Sequence, residues 1–101
     1  VRAALAALFF LFVPAAHAQQ AQEGTFSVRL LTPAAALKAA QAALARCGAA
    51  GYQVSVAVVD RMGVVQVLLR DRFAGPHTVD MASAKAYTAA SFRTSTRELA
   101  E

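Results

Sequence analysis

Residues 53–70 read QVSVAVVDRMGVVQVLLR, and the alternation inside them decides the fold. Val54, Val56 and Val58 fall on one side of an extended chain while Gln53, Ser55, Ala57 and Val59 fall on the other, which is the two-residue period of a strand. Asp60, Arg61, Met62 and Gly63 follow as a turn: Asp60 can bond the next backbone N–H groups, and Gly63 can take a left-handed conformation. The period of two returns over Val64–Arg70, with Val65, Val67 and Leu69 opposite to Gln66, Leu68 and Arg70. Two such runs joined by a short glycine-containing turn specify an antiparallel β-hairpin.

The flanks read as helices. Upstream, Thr32 offers a capping hydroxyl and Pro33 a first helical position that needs no N–H, so a helix is expected to about Cys47. Leu37, Ala40, Leu44 and Cys47 share one face of it, leaving Lys38, Gln41 and Arg46 outside. Gly48 and Gly51 are expected to end it through positive φ. Before Thr32, residues 19–31 are an extended lead-in in which Phe26, Val28 and Leu30 alternate with Ser27 and Arg29, as a short strand or as irregular chain. Downstream, Asp71–His77 is a loop containing Gly75 and Pro76, and Thr78 is expected to cap a second helix running to about Phe92. Asp80 in its first turn complements the helix dipole. Ala82, Ala86, Ala89 and Ala90 give this helix a narrow face suited to close packing. Ser95 to Glu98 has the spacing of a capping box, which opens one more short helix.

Residues 1–18, VRAALAALFFLFVPAAHA, carry a charge at Arg2, an apolar run from Ala3 to Val13, and the small-x-small end Ala16, His17, Ala18. That order is the one required for export and cleavage by signal peptidase, and the run falls short of the roughly 20 residues that span a bilayer. The expected product is therefore exported, to periplasm or medium, with no membrane span after cleavage. The 101 residues have 10 Lys and Arg against 6 Asp and Glu, a net charge of +4 that is spread along the chain. Such a modest, unclustered excess argues against a nucleic-acid partner and suits an anionic small molecule. Cys47 is the single cysteine, so no disulfide can close within the chain, and a small buried apolar role or a bridge between chains remains for it. A two-stranded sheet is marginal in water, which calls for further strands from another copy or from a continuation of the chain.

Chemistry concentrates in residues 74–96, AGPHTVDMASAKAYTAASFRTST. His77 sits at a loop-to-helix junction, where an imidazole can ligate a metal, accept a proton, or simply bond backbone. Lys85 lies two turns beyond it and Arg93 two turns further, cations able to hold carboxylates or to stay solvated. Met81 can be a thioether ligand or a gap-filler. Tyr87 and Phe92 suit a core or an interface. The sequence has no GxSxG nucleophile, no glycine-rich phosphate loop and no CxxC or HExxH metal spacing, which removes the hydrolase and nucleotide-binding classes these mark.

The segments GYQVSVAVVDRMGVVQVLLRDRFAGPHT and ASAKAYTAASFRTSTREL resemble the exported haem-binding GlcG and HbpS-like family, also called the haem-degrading domain. The VAVVDRxG hairpin followed by a KAYTA helix carries the likeness, over residues 37–99. The resemblance implies an α/β (α+β) fold of profilin-like kind, an antiparallel sheet flanked by helices, and assembly into homo-oligomers. Family members continue beyond the region of Glu98 through a glycine-rich segment and more strands, so residues 32–101 are expected to be the N-terminal portion of such a domain. The implied cofactor is haem, bound, degraded or used in redox sensing. Haem needs an axial ligand, apolar walls and cations for its propionates. His77 with Thr78 is the candidate iron side, Lys85 and Arg93 the candidate propionate partners, and Met81 and Tyr87 the candidate lining. The competing readings are a non-haem oligomeric module, serving as partner of a membrane sensor or as a small-molecule carrier, an enzyme using His77 or Lys85 for proton transfer, and a truncated product without function.

Overall fold

The computed structural model describes residues 24–101; the expected leader, residues 1–18, and the first part of the lead-in lie outside them. Helix α1 spans Pro33–Ala49, strand β1 Ser55–Val59, strand β2 Val65–Arg70 and helix α2 His77–Phe92, followed by a single 3₁₀ turn at Glu98–Ala100. This is an α+β arrangement that agrees with part of a profilin-like fold.

Both strands pair antiparallel as the alternation requires, with Ser55 opposite Arg70, Val56 opposite Leu69, Ala57 opposite Leu68 and Val58 opposite Val67. The register then slips, because Val59 pairs with Val65 and leaves Gln66 as an extra residue in β2. Paired residues share a face, so the slip puts Val65 on the side opposite to Val67 and Leu69, against the simple alternation expected of this strand. The freed Gln66 side chain donates to the carbonyl of Leu31 at 3.4 Å, tying the hairpin to the entry of α1. The turn forms as its residues dictate. Asp60 Oδ1 accepts from the N–H groups of Met62 at 2.8 Å and Val64 at 3.1 Å, and Gly63 takes φ +81°.

α1 begins at the Thr32 cap, whose Oγ1 accepts from the Ala35 N–H at 3.2 Å, with Pro33 in the first turn. Its end differs from expectation. Gly48 stays helical, and only Gly51, at φ +86°, takes the left-handed conformation, because the last carbonyls are satisfied within the turn by the N–H groups of Ala50, Gly51 and Tyr52. Its inner face departs from the one expected only at its start: Ala40 is buried and Leu44 and Cys47 are half-buried as the pattern requires, but Ala36, fully buried, takes the place of Leu37, which is 39% exposed. Small side chains sit at the closest approach to the sheet, and leucine is displaced to the rim.

Both helices pack on both strands, α2 chiefly on β1, and make no contact with each other. A hairpin face is two strands wide, about the diameter of a single helix, so α1 and α2 cover opposite faces. The buried core among the described residues is correspondingly thin, consisting of Ala36, Ala40 and Ala74. Phe26, Met62, Phe73 and Phe92 are each more than two-thirds exposed. Phe26, Val28 and Leu30 form no strand; residues 25–31, within the described part of the lead-in, run as irregular chain.

Candidate functional site

The loop ahead of α2 is pinned at both ends. Asp71 N–H donates to Val54 O at 2.9 Å, Ala74 N–H to Asp71 O at 3.0 Å, and Arg70 Nε to Ala74 O at 2.8 Å. With Ala74 buried, the chain is delivered to Gly75 and Pro76 in a fixed position. α2 then starts at His77, two residues earlier than a Thr78 cap would allow. Pro76 occupies the capping position in right-handed helical conformation without a side-chain cap bond. Its fixed φ is already that of a helix, which moves the start forward and places Thr78 inside the first turn.

Thr78 consequently does something else. Its hydroxyl donates to Gly75 O at 2.6 Å and lies 2.7 Å from Ser55 Oγ on β1. A threonine hydroxyl has one proton, and with that proton on Gly75 O the Ser55 hydroxyl must be the donor between the two. The pair is half-buried and locks the first turn of α2 to the first residue of β1. The His77 ring folds back over Gly75: a methyl group on the Gly75 α-carbon would stand 2.6 Å from His77 Cε1 and 2.8 Å from Nδ1.

Around this lock is a cavity of about 290 Å³, lined by His77, Thr78, Met81 and Lys85 from α2, by Ser55 at the start of β1 and by Val54 just before it. Steps of four along a helix keep His77, Met81 and Lys85 on one face. The cavity thus presents an imidazole, a thioether and an ammonium in a row, with a hydroxyl pair at its floor. No cluster of three or more His, Cys, Asp or Glu side chains suited to a bare metal ion occurs among the described residues. A haem iron, held by its macrocycle, asks the chain for an axial donor only, and His77 and Met81 are of the types that serve.

A family model of HbpS-like haem degrading proteins matches residues 31–101. The chain belongs to this HbpS-like family. Its haem-related function at the family level accords with the donor types gathered on α2. No curated protein gives a significant match.

The structure does not bring all six expected residues together. His77, Thr78, Met81 and Lys85 of this HbpS-like chain share one cavity, while Tyr87 projects from another side of α2 and rests on Gly63 of the hairpin turn. Arg93, in left-handed conformation at the end of α2, lines a second groove with Phe26, Val28, Leu30, Arg61 and Met62. Ser55 is the contributor that sequence reasoning passed over. Its signal was a hydroxyl on the side of β1 where Ala57 and Val59 are apolar.

Proposed function

We propose that this chain is an exported haem-binding protein that takes one edge of the haem at the start of α2, and that it serves haem or iron handling or redox sensing. His77 supplies the axial nitrogen, Lys85 pairs with a propionate, and Met81 and Val54 form the apolar wall between them. The observation that carries this reading is the row His77, Met81, Lys85 on one helix face over a single cavity. From His77 to Lys85 the helix rises about 12 Å, a span on the scale of the macrocycle. At about 290 Å³ the cavity is at the lower end of the roughly 300–1,000 Å³ range of ligand sites, so it covers only part of such a ligand. A second copy of the chain covers the remainder, and exposed apolar side chains outside the groove of Phe26 and Met62, among them Tyr52, Phe73 and Met81, supply the surface for that association. Arg93 and Tyr87 are outside this site.

The test is an absorbance titration of the purified protein with hemin, run beside His77→Ala. Saturable binding with a shifted Soret band that the variant alters supports the proposal. An identical spectrum and affinity in the variant removes His77 as ligand, and the absence of any saturable shift removes haem binding.

A further inference from the structure

A cavity larger than the one at His77 lies elsewhere on the described chain. It is a groove of about 490 Å³ between the lead-in, the hairpin turn and the end of α2, and the family reading assigns it nothing. Its walls are Phe26, Val28, Leu30 and Met62, all exposed, with Phe26 at 81% and Met62 at 76%. Two arginines line it as well, Arg61 from the turn and Arg93 from the helix end. The one carboxylate beside them, Asp60, also lines the groove, but its Oδ1 is already engaged by the N–H groups of Met62 and Val64. The groove therefore carries two cationic side chains against one carboxylate, an excess of one positive charge.

We propose that this groove binds an unbranched aliphatic monocarboxylate, with the carboxylate held by Arg61 and Arg93 and the hydrocarbon tail laid along Phe26, Val28, Leu30 and Met62. Charge selects the head group, because guanidinium forks match a carboxylate in shape and charge. The walls select the tail, because burying them against hydrocarbon removes apolar surface from water on both partners. A volume of about 490 Å³ is within the range of small-molecule sites. Arg93 is placed for the role by its backbone: the residue ending α2 stands at φ 55°, a conformation in which glycine or asparagine is the ordinary choice.

The experiment is a calorimetric titration of the purified protein with decanoate, beside the neutral isostere 1-decanol, both below their aggregation concentrations. An NMR titration maps the contact. The expected result is saturable decanoate binding, at least tenfold weaker binding of decanol, and shift changes at Leu30, Met62 and Arg93. Arg61→Gln combined with Arg93→Gln loses tenfold or more for decanoate and leaves decanol unchanged, while Arg61→Lys with Arg93→Lys retains most of the affinity. Equal binding of acid and alcohol overturns the proposal. So do shift changes centred on Ser55 and Thr78, or stoichiometric displacement of decanoate from this groove by hemin.

Discussion

The ring of Tyr87 rests on the α-carbon of Gly63: a methyl group there would stand 2.6 Å from Tyr87 Cδ2 and 3.1 Å from Cε2. The contact clips the hairpin turn onto α2 and fixes which way that part of the helix faces. It also explains why Tyr87 takes no part in the cavity at His77, ten residues earlier on the same helix.

Gly63→Ala is therefore expected to destabilise the protein by about 1–3 kcal/mol. Roughly 1–2 kcal/mol comes from holding a non-glycine residue at left-handed φ, and the displaced Tyr87 ring adds to it. The double variant with Tyr87→Ala relieves the clash but not the backbone strain. Urea denaturation followed by circular dichroism separates the two, and a Gly63→Ala variant as stable as the parent contradicts the packing described.

The hydroxyl pair between Ser55 and Thr78 gives a second prediction. Thr78→Val keeps the shape but leaves the Ser55 hydroxyl without its acceptor and Gly75 O without one donor. A loss of about 1–3 kcal/mol is expected, because an unpaired half-buried polar group costs more than the bond contributed. Adding Ser55→Ala to Thr78→Val recovers part of it, since both partners are then removed. The same urea titration measures the recovery, and strictly additive losses would show that the two hydroxyls do not interact.

The hairpin was legible in the sequence because period-two alternation, an Asx turn and a glycine all act within eighteen residues. Thr32 and Pro33 marked α1 for the same local reason. What escaped depends on neighbours distant in sequence. Leu37 was expected inward on amphipathic pattern alone, yet Ala36 is the residue that meets the sheet. Thr78 was read as a cap because its side chain suits one, whereas Pro76 had already begun the helix. The site residues separated likewise: helical spacing put His77, Met81 and Lys85 together, but nothing local shows that Arg93 turns toward the lead-in.

Ser95 and Glu98 form the expected capping box, and this gives a pH dependence. Glu98 Oε2 accepts from the Thr94 hydroxyl, and from Ser95 N–H and Ser95 Oγ at 3.1 Å each, while Glu98 N–H donates to Ser95 Oγ at 3.2 Å. These bonds, that of Thr94 foremost, hold the Glu98 carboxyl below its ordinary value. A lowered folded pKa stabilises the turn fully above the unfolded value of about 4.3 and loses that effect as pH falls through the lower, folded one. NMR titration should accordingly show the Ser95 amide shifting with a midpoint below that of an ordinary glutamate. In Glu98→Gln that transition vanishes, and a midpoint at or above the ordinary glutamate value would contradict the assignment.

Gly75 provides a test of the haem proposal that leaves every proposed ligand in place. Its φ lies outside the left-handed region, and the proline after it favours an extended backbone that alanine adopts easily. The sole conflict for Gly75→Ala is with the exposed His77 ring, which can rotate away, so stability should stay within about 0.5 kcal/mol of the parent. The imidazole, however, must leave its position over Gly75. If His77 ligates iron from that position, hemin affinity falls at least fivefold in Gly75→Ala and the Soret band moves in the same direction as in His77→Ala. A protein that keeps the parental spectrum in Gly75→Ala while losing it in His77→Ala would place the ligand in a rotamer free of Gly75. Unchanged spectra in both would exclude His77 from the iron altogether.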